Sequence, residues 1–246
     1  MRSLVLEGLS QPQSLISPEQ FLSLQESRPD AYSNLRLLRV LRKSKLQDAE
    51  ACAERFLQYL QWREVNRVND LMVDRNVAKF CKGAFGVSVV GGVEGIKDEN
   101  APSAPPPQKS SVTVYLDVGD WKTKDLMEEL KRGSNGISVD SFLQYWISIY
   151  EDIHLRLHDL TVANGRNLAF ANIDADMGSI SLSQFSPKFM RRVGGPWMTT
   201  TQSHYPETTN KIFFRNAPTV INVVWKVVGV FVSEGTKVGP TCPAPT

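Results

Sequence analysis

An excess of charge of either sign is missing: 28 Lys plus Arg stand against 26 Asp plus Glu, a formal +2 over 246 residues. So even a balance offers no electrostatic footprint for a nucleic-acid partner. Cysteine is scarce, with Cys52, Cys81 and Cys242 far apart. That usage excludes a disulfide framework and a cysteine-bound metal, and it fits a reducing compartment. No apolar run is long and uninterrupted enough to span a bilayer. The first residues, MRSLVLEGLSQPQ, lack a sustained apolar core and carry Glu7 early, so no signal peptide is expected. No internal repeat is seen. What remains is the composition of an ordinary globular protein, with enough length for one or two domains and a sizeable core. A cytoplasmic protein is expected.

Constellations for catalysis are also missing. His154 and His158 stand four apart in a helical pattern, a spacing that could put both imidazoles on one metal. They have no H-E-x-x-H arrangement and no third ligand at readable spacing, so core-edge or surface histidines are expected. Asp174, Asp176 and Gly178 imitate the start of a calcium loop whose other ligands are absent. There is no G-x-S-x-G elbow for a nucleophile. Gly91-Gly92-Val93-Glu94-Gly95 lacks the Lys of a phosphate loop. The reading is therefore no enzyme, no metal and no cofactor.

What is there is a legible series of helices and strands. Ile16-Ser17-Pro18-Glu19-Gln20-Phe21 has the parts of a helix start: a capping box between Ser17 and Gln20, Pro18 where no N–H is needed, and Ile16 to staple onto Phe21. Residues 34–45 form a basic helix whose Arg36, Arg39, Arg42, Lys43 and Lys45 read as a solvated face. Asp48 caps a third helix, with Ala49, Ala53, Phe56, Leu57 and Leu60 as its apolar stripe and Trp62-Arg63 at its end. From 76 to 111 the pattern weakens, and a Gly- and Pro-rich loop at about 91–111 is expected to be mobile. Val112, Val114, Leu116 and Val118 alternate as in a strand. Residues 123–132 form a short helix. Ser138 caps a long one, whose Phe142, Trp146, Ile149, Ile153, Leu157 and Leu160 face a core. Strands are predicted at 168–173 and 211–215. Between them lies helix interrupted near Gly194-Gly195-Pro196. Strands alternating with helices point to an α/β fold with a partly parallel sheet.

The segment 205–237, YPETTNKIFFRNAPTVINVVWKVVGVFVSEGTK, carries the most information. Past Pro218 it becomes a helix that is apolar nearly all round, fit for burial or for contact with something apolar that is not protein. Four further stretches occur ahead of it in order: LLRVLRKSKLQDAEACAERFLQYLQWRE, VTVYLDVG, WISIYED and LAFANIDADMGSISLS. Together the five resemble the CRAL-TRIO family, of the phosphatidylinositol- and phosphatidylcholine-transfer type. The resemblance ends at Lys237, and the tail VGPTCPAPT reads as a divergent or truncated C-terminus.

The resemblance implies an N-terminal helical module at 1–76 and a lipid-binding lobe at 77–237, followed by a divergent tail at 238–246. The lobe would have a mixed, partly parallel sheet as floor and the apolar helix as a gate. It implies headgroup contacts from Tyr115, Tyr150, Glu207 and Thr236. It places Phe85, Ala169, Ala171, Ile173, Phe213, Ile221, Val224, Trp225 and Val228 on the cavity and gate. Phe85, Ala169 and Ala171 lack the hydroxyls that phosphatidylcholine-binding members carry there, which points to another phospholipid, a phosphoinositide among them. From the residues alone, the apolar members of this set read as core, Tyr115 and Tyr150 as buried tyrosines with satisfied hydroxyls, and Glu207 as a surface carboxylate paired with Lys211. The implied function is to carry or present a phospholipid between membranes, with transient contact to the membrane surface. The alternative is a recruitment or lipid-sensing module that exchanges no lipid.

Overall fold

A computed structural model describes residues 1–43, 48–91, 111–133, 136–165, 169–219 and 223. The chain opens with five helices: α1 (Arg2–Leu9), α2 (Pro18–Ser27), α3 (Pro29–Tyr32), α4 (Asn34–Lys43) and α5 (Ala49–Val65). The start of α2 is the capping box expected: Gln20 N donates to Ser17 Oγ at 3.2 Å, and Ser17 N donates to Gln20 Oε1 at 2.9 Å. Asp48 caps α5 by accepting from the Glu50 amide at 2.9 Å. These helices close on an apolar cluster of their own, centred on Val5, Phe21, Tyr32, Phe56 and Leu60. The weak pattern after residue 76 conceals two regular elements. One is α6 (Arg75–Phe85), capped by Asp74, with Val77, Cys81, Ala84 and Phe85 buried at helical spacing. The other is β1 (Val87–Gly91).

Among the described residues, four strands form one mixed sheet in the order β1-β2-β3-β4. β2 (Val112–Leu116) pairs antiparallel with β1 and parallel with β3 (Ala171–Asp176). β4 (Thr209–Arg215) pairs parallel with β3. Both parallel steps need helical crossovers. The first contains α7 (Thr123–Arg132) and the 26-residue α8 (Val139–Asn164), which opens on a Ser138–Ser141 capping box. The second contains α9 (Pro187–Phe189), a π turn at Met190–Gly194 and α10 (Gly195–His204). The break predicted at Gly194-Gly195-Pro196 is thus a change of helical pitch. Pro196 stands in the first turn of α10, where its missing N–H costs nothing. β3 begins at Ala171, three residues after the strand read from sequence.

The end of β1 is sterically tight. Gly91 adopts φ +99, and a Cβ there would lie 2.1 Å from the Ser111 carbonyl oxygen. Its own carbonyl accepts from Arg156 Nη1 at 2.9 Å, which ties the strand to α8. Gly91→Ala is expected to cost about 2 kcal/mol, because both conformation and space exclude a side chain. Urea denaturation measures this. A loss below about 0.5 kcal/mol, the size of an ordinary surface change, would mean that the strand end relaxes freely.

Candidate functional site

Strand alternation decides which sheet residues meet the helices. Val114, Leu116, Ala171, Ile173, Ala175, Ile212 and Phe214 all sit on one face, and all line a cavity of about 380 Å³. That size is within the range of small-ligand sites. α8 and α10 form the opposite wall, with the π turn beside them. The two helices run parallel, and successive turns meet in rungs. Trp146 meets Trp197, with ring centroids 4.6 Å apart. One turn on, Tyr150 is hydrogen-bonded to Thr201. One turn further, His154 meets Tyr205 at 5.3 Å. A rise of 1.5 Å per residue spaces the outer rungs by about 12 Å. The wall therefore grades from tryptophan to buried charge.

At the tryptophan level, Trp121 joins Trp146 and Trp197, at 6.2 and 5.9 Å from their rings. All three indole Nε1–H groups are buried with no acceptor among the described residues. Each such donor forgoes about 1–3 kcal/mol relative to a paired one.

At the charged level, Glu151 collects three donors. Arg63 holds it with two bonds of 2.8 Å, Arg28 donates at 2.7 Å and the Tyr205 hydroxyl at 2.7 Å. Burial pushes the Glu151 carboxyl up, but these partners outweigh it and hold its pKa down at about 2. Trp62 stacks on His204 at 3.9 Å. The W-R, Y-E and Y-P-E stretches of the sequence thus meet at one junction between the N-terminal helices and the sheet-bearing part.

α4 differs from its sequence reading. Arg36 and Arg39, read as part of a solvated face, are 1% and 4% exposed. Arg36 Nη1 lies 2.5 Å from His154 Nδ1, and its Nη2 donates to the His204 carbonyl. Arg39 donates to the carbonyls of Glu207 and Ala169, each at 2.6 Å. The acceptors from the protein backbone are carbonyls, so positive charge accumulates behind the Tyr205–Thr208 turn. Burial, then the Arg36 and Arg42 charges, lowers the Arg39 pKa to about 10, with Glu207 acting the other way. Burial and the surrounding arginines press His154 well below its usual range, so its ring is neutral. It belongs to the core and not to a surface pair with His158.

The sequence-predicted positions divide. Tyr150, Ala171, Ile173 and Glu207 line the cavity. Glu207 has φ +54 and stands on a turn ahead of β4, so the helical i,i+4 pairing with Lys211 does not apply. Tyr115 and Phe213 have the opposite strand parity to the lining residues. They share the sheet's other face, where Tyr115 is paired in register with Asp174 and Asp174 with Phe213, and Phe213 is half exposed. Phe85 is 1% exposed and packs edge-on against Trp121 and Phe142 in the core, behind the cavity wall and not on it. Ala169 precedes β3 and meets Arg39 and Thr161 through its backbone. The missing donors that argue against phosphatidylcholine therefore reduce, on the cavity itself, to Ala171. Ile221, Val224, Trp225, Val228 and Thr236 lie outside the described residues, as does most of the 91–111 loop. Sequence reasoning missed the convergence of Trp121 and Trp197 on Trp146, which lie far apart in the chain with no local signal joining them.

Comparison with known proteins gives consistent matches. Residues 107–238 match the family model described as the CRAL/TRIO domain. A protein named real-time from Aedes aegypti is 23% identical over 223 residues, covering 87% of this chain and 30% of that protein. A protein from Arabidopsis thaliana, phosphatidylinositol/phosphatidylcholine transfer protein SFH11, is 23% identical over 210 residues, covering 85% of this chain and 50% of that protein. The chain thus spans half or less of the length of these relatives. The crystal structure of Sfh5 superposes with a TM-score of 0.58 at 17% identity, covering 96% of this chain and 76% of that one, a likeness of fold.

Proposed function

The chain belongs to the CRAL/TRIO family, and we propose that it binds a phospholipid or similar hydrophobic ligand in this cavity and transfers or presents it between membranes. The observation that carries the reading is the cavity itself: a mostly apolar space walled by regular elements. Tyr150 and Glu207 line it and are the proposed headgroup contacts, joined by Thr236. Ala171 and Ile173 form the floor beneath the ligand. The apolar segment beyond Pro218 is the proposed gate. Among the described residues no helix is long and apolar enough to cross a membrane, in keeping with peripheral contact. Burying acyl chains is worth about 0.8 kcal/mol per CH2 against water, and the bilayer offers nearly the same. Transfer is then close to balanced, and the polar contacts choose the lipid. The role is binding, without a chemical step.

Native mass spectrometry of the purified protein, followed by transfer of labelled lipid between vesicles, tests this. One lipid per chain and transfer above the uncatalysed rate are the expected results. Vesicle binding without transfer would support the recruitment module instead. Protein that carries no lipid and takes none up would overturn the cavity assignment.

A further inference from the structure

Tyr205, Pro206, Glu207, Thr208 and Thr209 all line the cavity, so the shape of this one segment helps to decide which polar groups a ligand meets. Its backbone is strained. Glu207 has φ +54, a left-handed conformation that a residue other than glycine keeps only where its surroundings enforce it. Two buried arginines of α4 supply that enforcement, and neither of them lines the cavity. Arg39 donates from Nη1 to the Glu207 carbonyl and from Nη2 to the Ala169 carbonyl, each at 2.6 Å. One guanidinium thus clamps the segment to the backbone entering β3. Arg36 donates to the His204 carbonyl, just ahead of the segment. Its Nη1 also lies 2.5 Å from His154 Nδ1, and His154 Nε2 lies 2.8 Å from Thr208 Oγ1. The Thr208 hydroxyl donates to the Tyr205 carbonyl at 2.8 Å, so it accepts from the imidazole, whose Nδ1 is left to accept from Arg36. A continuous chain of bonds therefore runs from α4 through α8 into the segment. The Glu207 side chain is left over: the residue is half-buried, and its carboxylate has no hydrogen bond or ion pair among the described residues.

We infer that, within the ligand-binding reading above on which this rests, Arg36 and Arg39 are positioning residues for headgroup choice. They act without touching the ligand, by holding the segment Tyr205–Thr209 in the shape that leaves the Glu207 carboxylate for a headgroup rich in hydroxyls. A carboxylate only accepts, so it favours ligands that bring donors. The N-terminal helices then do more than complete the fold: they set which lipid is kept. Lysine at position 39 would keep the charge and lose the clamp, because an ammonium lacks the rigid fork that reaches two carbonyls at once.

The probes are dioleoyl phosphatidylinositol and dioleoyl phosphatidylmethanol, which share chains and charge and differ in headgroup hydroxyls. Both are offered to the whole chain in mixed vesicles, and the loaded ratio is read by native mass spectrometry. The unaltered protein is expected to prefer phosphatidylinositol by about tenfold, the order of one charge-assisted hydrogen bond. Arg39→Lys and Glu207→Gln are each expected to reduce that preference to about twofold, while phosphatidylmethanol loading alone stays within about twofold of the parent. The double variant is expected to lose no more preference than either single one, because both changes act on the same contact. Thr208→Val, which keeps the side-chain shape and removes only the hydroxyl between His154 and Tyr205, is expected to act in the same direction and serves if Arg39→Lys does not fold. Equal weakening of both probes by the variants at positions 39 and 208, the mark of a merely structural role, would overturn the inference. A preference that falls further when Arg39→Lys is added to Glu207→Gln would also overturn it, since the arginine would then act by another route. No preference in the unaltered protein would overturn it and leave the ligand-binding reading standing. If neither probe is loaded, the ligand-binding reading falls along with it.

Discussion

Glu151→Gln is expected to destabilise the fold by about 3–5 kcal/mol, the cost of breaking a buried ion pair by removing one partner. The neutral amide would leave Arg63, itself fully buried, without a counter-charge, would leave Arg28 with Asp30 alone, and would accept less strongly from the Tyr205 hydroxyl. The pH dependence follows in sign. The folded-state pKa of Glu151 is about 2, below its ordinary value of 4.5. The unfolded chain therefore binds the proton more readily, and the carboxylate stabilises the fold at any pH above about 4.5. That contribution, roughly 3 kcal/mol, is lost as pH falls toward 2. Urea midpoints between pH 7 and pH 2.5 check it. The parent protein should lose stability steeply below pH 4.5, and Glu151→Gln should start lower and fall less. Parallel acid curves would show that other carboxylates govern the transition. Because Arg28 and Arg63 come from the N-terminal helices and Tyr205 from the end of α10, the same variant should expose the amides of α10 to exchange first.

Ile173→Asp is expected to abolish lipid loading, whereas Phe213→Asp, one strand away, should leave it intact. Ile173 lies on the cavity floor beneath α8, where an unpaired carboxylate costs several kcal/mol unless it neutralises. Its pKa would be raised by burial, so the penalty is greatest at high pH and shrinks as pH falls below the raised value. Phe213 is half exposed on the other face, so a charge there should change stability by no more than about 0.5 kcal/mol. Lipid per chain by mass spectrometry, alongside circular dichroism, reads both effects. Full loading of a folded Ile173→Asp protein would mean that the ligand does not lie on this floor. Loss of loading in Phe213→Asp would move the site to the sheet's opposite face.

Much of the fold could be read from local chemistry. The Ser17, Asp48 and Ser138 caps are where the side-chain spacing places them, because a cap needs only its own residue and the amides two or three positions on. The long stripe on α8 was legible for the same reason. α6 and β1 were not read, although the apolar positions of α6 recur at helical spacing, since both lie next to a Gly- and Pro-rich stretch that masks where the period ends. Of the residues read as cavity or headgroup positions, Tyr150, Ala171, Ile173 and Glu207 stand on the cavity wall, and Tyr115 and Phe213 lie on the sheet's other face. In a strand, one residue of offset exchanges the faces, and apolar character alone does not say which face meets the cavity.

From the sequence alone came most of the element series, the helix starts and a partly parallel sheet, which rest on short-range spacing that survives in one dimension, and, through the resemblance of five ordered stretches, the family to which the chain belongs. Only the tertiary structure decided that the arginines of α4 are buried instead of solvated, because the carbonyls that receive them belong to residues 130 and 168 positions away in the chain. It alone brought Trp121, Trp146 and Trp197 to one level of the cavity, and Arg28, Arg63 and Tyr205 onto Glu151. Contacts of that kind are set by how helices cross and strands register, and the burial that gives them their energy exists only once distant segments have packed.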